Sequence, residues 1–162
     1  MAQEPPLHYG FKEWAVVCEA LATGRQNLLI RKGGISEENG EFRPQHSQFW
    51  MLRTQFHQSH HQIRPEHHDL IDQLTPPENT SHFHLTEWAE VQSVEWLDSE
   101  NQLSELLKQT IYAPEVLTQR FHYRNPGLYV LKVEIHTVSP CVVVPAPPDW
   151  QGCKTWVQLA SE

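Results

Sequence analysis

No run of apolar residues approaches the roughly 20 needed to cross a bilayer. The opening, MAQEPPLHYG, lacks the charged and then apolar organisation of a secretory signal, so the reading is a soluble, cytoplasmic protein. Cysteine is scarce. Cys18, Cys141 and Cys153 form no C-x-x-C or other zinc spacing, and their odd number argues against a disulfide framework; they read as buried or inert thiols. Positive charge is also scarce, with 12 Lys and Arg against 20 Asp and Glu and a formal net charge of −8. That balance argues against a surface that coats phosphates generally, but leaves room for a local basic groove. There is no Walker A loop, dinucleotide fingerprint, H-E-x-x-H or G-x-S-x-G elbow.

What remains is 162 residues with six Trp, enough for one domain with a buried core. Residues 1–10 read as an N-terminal leader, with Pro5 and Pro6 stopping any regular element. Residues 11–162 read as a single α+β domain, a mixed or antiparallel sheet with a few packed helices. From Phe11, the spacing of Trp14, Ala15, Cys18 and Leu21 predicts an amphipathic helix that ends at Gly24. QNLLIR and SQFWMLRT read as strands, and Pro65 as the start of a short helix carrying Leu70, Ile71 and Leu74. HFHLTEWAEVQSVEW begins as an alternating strand and shifts near Trp88 and Ala89, which suggests a bulge or a hairpin. DSENQLSELLKQ and APEVLTQRFHY read as helices, the first capped by Asp98 or Ser99. GLYVLKVEIHTV reads as a strand with Tyr129, Leu131, Val133 and Ile135 on one face and Lys132, Glu134 and His136 on the other. CVVVPAPPDW suggests a separate short buried strand, and KTWVQLA a final one.

Four groups of residues invite a functional reading. In LLIRKGGISEENGEF, Arg31 and Lys32 leave a strand beside Gly33 and Gly34, an arrangement able to hold a phosphate or carboxylate with side chains and backbone N–H groups. The plainer alternative is a tight turn with a solvated charge pair. Secondly, Glu13, Glu19 and Glu37 with Lys32 are the residue types of a metal-dependent nuclease, in which a divalent cation would be the cofactor. They do not follow the D-x(n)-[DE]-x-K pattern, and Lys132-Val133-Glu134 has its order reversed. Thirdly, eleven histidines cluster partly in FHQSHHQIRPEHHDL. His57, His60 and His61 would share a face if that stretch were helical, a spacing zinc accepts, although a solvated polar loop is the favoured state. His46 stands apart as an acid/base or hydrogen-bonding group. Lastly, TQRFHYRNP brings Arg120 and Arg124 together with Phe121 and Tyr123. Arginine among aromatics suits a stacked base and a held phosphate, and equally a helix end that packs Phe121 in the core.

The succession FKEWAVVCEAL, GRQNLLIRKGGISE, FRPQHSQFW and TQFHQ, with the later QRFHYR and WQGCKTWVQL, resembles the bacterial domain of unknown function 1802 family over nearly the whole chain. The resemblance singles out Lys12, Glu13, Trp14, Arg31, Lys32, Gly33, Gly34, Glu37, His46, Thr54, His57, Gln58, Arg120, Gly152, Cys153 and Trp156. The sequence departs from the family pattern at Arg53, where a proline is expected, and in the extra histidines from His60 to His68. The resemblance implies a context, because such domains are sometimes joined to restriction-type endonuclease domains.

The leading expectation is a nucleic-acid-binding accessory domain, with DNA or RNA as partner and a restriction-modification setting. Its anion-binding corner would be Arg31-Lys32-Gly33-Gly34, with His46, Thr54, His57, Gln58, Arg120 and Arg124 around it. The alternatives are the metal-dependent nuclease and a protein-interaction or small-anion sensor domain.

Overall fold

A computed structural model describes residues 8–33, 35–54, 60–74, 81–147 and 155–159, with only the backbone at Glu37 and Glu38. The fold is α+β, as the sequence predicts. Six strands form one mixed sheet in the order β2-β7-β6-β5-β1-β8: β1 (Tyr9–Trp14), β2 (Leu28–Arg31), β5 (Gln48–Thr54), β6 (His82–Leu97), β7 (Leu128–Pro145) and β8 (Trp156–Gln158). Only β1 and β5 run parallel, in a register that sets Glu13 beside Arg53 and Trp14 beside Thr54. A two-stranded ribbon, β3 (Ile35–Glu38) with β4 (Glu41–Pro44), stands outside this sheet. Its turn is Asn39-Gly40, both with positive φ, at 53° and 80°. Two positive φ values in a two-residue loop match the strand twist, and the Asn-Gly pair marks this hairpin in the sequence.

The expected helix over residues 11–22 is corrected. The first half is β1, and α1 (Ala15–Ala22) begins immediately after Trp14. Helical spacing at Trp14, Ala15, Cys18 and Leu21 belongs to α1 alone. Residues 10–14 pair with β5, and β8 pairs with β1 as far as Phe11, and ladder pairing overrides a local periodicity that spans a strand–helix junction. Six of the eight α1 residues are buried. A helix apolar nearly all round sits inside its domain.

The long strands β6 and β7 pair from His82↔Pro145 to Leu97↔Leu128, with register shifts at Leu85/Glu87 and Val91/Ser93. The bulge expected near Trp88 is therefore two irregularities that flank it. CVVVP is not a separate buried strand but the continuation of β7, paired to β6 with exposed and half-buried residues alternating. Beyond Leu97 the chain makes a helical excursion through α3 (Leu103–Lys108) and α4 (Pro114–His122) before returning at Leu128. Ser99 caps the first turn in a capping box with Gln102, and Pro114 occupies the first turn of α4, where its missing N–H has no helical partner. Pro65 likewise opens a short 3₁₀ turn that leads into α2 (His68–Asp72), which buries Leu70.

One core cluster fills the space between the sheet and α1, α2 and α4, with Phe11, Leu29, Phe49, Tyr112, Phe121 and Leu131 among its members. A second lies on the other face, around Trp50, Leu52, Leu85, Trp88, Val157 and Leu159. Among the described residues no helix is long and apolar enough to cross a membrane.

Lys32 fastens the return from α4. Its ammonium donates to the carbonyls of Phe121 and Gly127, each at 2.6 Å, and to that of Asn125. Gly127 has φ of +136°, and a Cβ there would lie 2.1 Å from the Trp96 ring. Gly127→Ala therefore meets both backbone strain and a rigid indole. It should lower stability by about 3 kcal/mol, read as a reduced midpoint in urea with an unchanged slope.

Candidate functional site

The chemistry collects where β1 runs out into α1. Glu13 is a carboxylate buried on the last turn of the pleat, 3% exposed. Its Oε1 accepts the Trp14 backbone N–H at 2.8 Å, and its Oε2 lies 3.1 Å from an Arg31 nitrogen. Arg31 also donates to the carbonyls of Lys12 at 2.7 Å and Ile30 at 2.8 Å, while its guanidinium lies 4.2 Å from the centre of the Phe11 ring. Because β2 and β1 are four places apart in the sheet order, these contacts mean that the sheet curls until its first and fifth strands meet. A twisted sheet of this number of strands closes in that way.

From the other side α4 delivers Arg120. Its guanidinium lies over the rings of Trp14 at 4.8 Å and Tyr112 at 4.7 Å, and it donates to the Tyr112 hydroxyl at 3.2 Å. Burial alone would lower the Arg120 pKa, but Tyr112 and Glu13 outweigh it and the group is held charged. Tyr112 is pushed up to about 12, by burial first and by the Glu13 charge second, with Arg120 and Arg31 opposing. One guanidinium thus pairs with the Glu13 carboxylate and a second feels its charge, and each lies against aromatic rings, Arg31 on Phe11 and Arg120 on Trp14 and Tyr112.

A second charge cluster adjoins the first. Arg53 reaches Glu19 of α1 at 2.7 Å and the buried Glu87 of β6 at 2.8 Å. Here too burial would lower the guanidinium pKa, and Glu87 and Glu19 outweigh it. Arg53 is therefore the centre of an ion-pair bridge between three elements. Thr54 donates its hydroxyl to the Glu13 carbonyl at 3.1 Å. Cys18, packed below, is a buried thiol whose pKa is raised by burial and then by Glu13.

The structure thus brings Glu13, Trp14, Arg31, Thr54 and Arg120 together, and adds Tyr112 and Glu87, which no sequence motif marks. A tyrosine in TIYAPE carries no local signal; its role comes from the packing of α4. The nuclease set separates. Glu13 pairs with Arg31, Glu19 with Arg53, and the Lys32 ammonium is surrounded by carbonyls, while Glu37 lies on β3. His46 stacks on Tyr9 at 3.6 Å, beside Trp156. Tyr9 is five residues before Trp14, so this ring sits roughly 16 Å away at the other end of β1. Burial lowers the His46 pKa. Arg124 is exposed and lies over the exposed Tyr123 ring at 5.2 Å. Gly33 is exposed after β2; Gly34, His57, Gln58, Gly152 and Cys153 lie outside the described residues.

The described part of the histidine-rich stretch forms short helical turns. His60 and His61 stand on a 3₁₀ turn; His60 pairs with Asp72 at 2.8 Å and packs edge-on against His68. Among the described residues the set of three convergent metal-donor atoms is instead Glu90, Glu134 and His136. A separate groove of about 520 Å³ beside the end of α1, lined in part by Ala22, Arg25, Gln109 and Thr137, contains none of the residues singled out from the sequence.

This arrangement of sheet and helices is the architecture seen in ASCH structures. It is similar to the crystal structure of ASCH from Zymomonas mobilis, with 12% identity and a TM-score of 0.53 over 94% of this chain and 87% of that one. Two point-mutant structures of the same protein match over 94% of this chain and 87% and 89% of theirs, with 10% and 12% identity and TM-scores of 0.55 and 0.54. At such identities the likeness is one of fold. By sequence, the chain belongs to the family called Domain of unknown function (DUF1802), whose model matches residues 10–162. No curated protein matches it.

Two outcomes test the electrostatics. Arg31→Ala would leave the Glu13 carboxylate buried without its cation and should cost about 3–5 kcal/mol, whereas the double change with Glu13→Gln should recover part of that loss in a double-mutant cycle. The Tyr112 phenol ionises in the unfolded chain near its usual value of roughly 10 and in the folded chain at about 12. Its contribution is complete below the lower value and disappears as pH rises through that window, by about 3 kcal/mol at most. Urea unfolding should show this loss between those pH values, and Tyr112→Phe should flatten it.

Proposed function

We propose that this domain binds nucleic acid, with a backbone phosphate received at the junction of β1, β2 and α4. One observation carries the reading: Arg31 pairs with Glu13, and Arg120 is held over Trp14 and Tyr112 within reach of the same carboxylate, in a chain whose formal net charge is −8. A guanidinium offers planar, paired donors to a phosphate, and its stacking on Trp14 and Tyr112 holds the fork in place. Half-buried Trp14 and exposed Tyr123 supply ring faces against which an unpaired base can stack. Arg124, one residue after Tyr123, is an exposed cation beside that ring.

Lys32 has a different part in this reading. With its ammonium held by three carbonyls, it positions the segment between α4 and β7, and Arg31 is left as the cation of the anion-binding corner. His57 and Gln58 follow Thr54 in the sequence by three and four residues, and a glutamine suits a base edge. The family resemblance extends the reading to an accessory role beside a restriction-type endonuclease.

The test is fluorescence anisotropy of labelled single-stranded DNA, duplex DNA and RNA with the full chain, in magnesium and in EDTA, with the same samples run on a gel for cleavage. Binding that weakens as salt rises is expected, reduced at least about tenfold in a combined Arg120→Gln/Arg124→Ala variant, two lost charge contacts being worth that much. Arg25→Ala, which removes an exposed pair with Asp69, should leave it unchanged. Magnesium-dependent cleavage would replace the binding module with the nuclease reading. No interaction with any of the three would reject nucleic acid and turn attention to a protein or small-anion ligand.

A further inference from the structure

The paired strands β6 and β7 carry a second constellation, away from the arginine site and independent of the proposal above. Glu90 and Glu134 are direct cross-strand partners, and Trp88↔His136 is the pair two rungs along on the same face. Like charges placed opposite one another destabilise a ladder, so the pairing asks what offsets it. The described partners of the two carboxylates are amides and an imidazole. Gln48 donates to Glu90 Oε2 at 2.6 Å, and Gln92 donates to Glu134 Oε2 at 3.1 Å. Each amide therefore holds one oxygen of a carboxylate and orients the other. Glu134 Oε1 lies 3.8 Å from His136 Nε2.

The imidazole supplies the independent observation. His136 Nε2 is inaccessible to solvent and has no hydrogen-bond partner, although a buried polar nitrogen is ordinarily satisfied. Its ring is fixed by stacking on the buried Trp88, with centroids 4.1 Å apart and an interplanar angle of 18°. One donor atom from each of Glu90, Glu134 and His136 lies within 4.8 Å of the others. A cation among them would offset the facing carboxylates and occupy the orphaned nitrogen together.

We propose that Glu90, Glu134 and His136 form a binding site for a divalent first-row transition ion, with Gln48 and Gln92 as the supporting hydrogen-bond donors. Two carboxylates and one imidazole are a mixed hard and borderline donor set, suited to the range from manganese to zinc. Three protein ligands leave coordination positions for water, and amide-held carboxylates are the outer support such sites use. The ion would clasp β6 to β7 at the side of the second core cluster.

The test uses the full chain stripped of metal, titrated with Mn²⁺ followed by electron paramagnetic resonance and, separately, with Zn²⁺ by calorimetry. One equivalent is expected with at least one of the ions, together with a rise in Tm. Glu134→Gln and His136→Phe should each weaken that equivalent at least about tenfold and remove the rise. The phenyl ring keeps the stack on Trp88, and Glu134→Gln relieves the facing charges, so the metal-free Glu134→Gln protein should melt no lower than the unaltered one. A His60→Ala/His61→Ala variant should retain the site. Failure to bind either ion, or an affinity unchanged in both site variants, would overturn the proposal, and so would loss of the equivalent in the His60→Ala/His61→Ala variant alone.

Discussion

The ion pair between Glu13 and Arg31 joins strands that the sheet order keeps four places apart. A carboxylate that is 3% exposed has lost almost all its hydration, and only a charged, hydrogen-bonding partner makes that burial tolerable. The partner must come from β2, so the sheet must curl. Once it does, the Arg31 guanidinium covers Phe11, the Lys12 carbonyl gains a donor, and the space beneath is sealed by α1. The remaining charges follow from the same closure. Arg120 enters because Trp14 and Tyr112 present their rings where β1 ends, and Arg53 ties α1 and β6 to the strand running parallel beside it.

Burying so many charged groups is a poor way to gain stability. A set of apolar side chains of similar volume would hold the closure at least as well. What the charges add is direction: guanidinium planes are fixed by rings and carbonyls at one end of β1. Groups held in this way have little conformational freedom left to lose. The arrangement also separates two kinds of cation. Arg31 and Arg120 point into the junction, whereas Lys32, next in sequence, spends its three donors on the turn after α4. Lys32 follows the last residue of β2, and a single step along the chain moves the cation from the Glu13 carboxylate to the turn after α4.

Much of the fold is legible along the chain because it depends on local patterning. The alternation of Leu131, Val133 and Ile135 against Lys132, Glu134 and His136 specifies the core face of β7, and Pro114 and Ser99 mark helix starts by their own hydrogen-bonding limits. The errors have equally local causes. A strand that passes into a helix without a turn, as at Trp14 and Ala15, blends two periodicities into one. The extension of β7 through CVVVP is hidden by its prolines, which a central strand excludes but a twisted two-stranded arm tolerates. Of the site, Glu13, Arg31, Thr54 and Arg120 are visible as residue types, but not as neighbours. Tyr112 and Glu87 are invisible, since nothing around them in sequence distinguishes a buried charge partner from an ordinary core or surface residue.

The sequence by itself determined the α+β class, the family, most helix starts and the chemical types available for binding, because these follow from hydrophobic period, capping and turn chemistry within a few residues. The tertiary structure alone decided which charges meet. Glu13 could have served a metal, a lysine or solvent; it meets Arg31 because the sheet closes. Among the described residues, the histidines that crowd the sequence between 60 and 68 are not the one that converges with two carboxylates. His136 does so, because the register of β6 on β7 places Glu90 opposite Glu134 and a tryptophan beneath the ring. Register and closure are long-range properties, fixed by the packing of the whole core, and no single stretch of chain contains them.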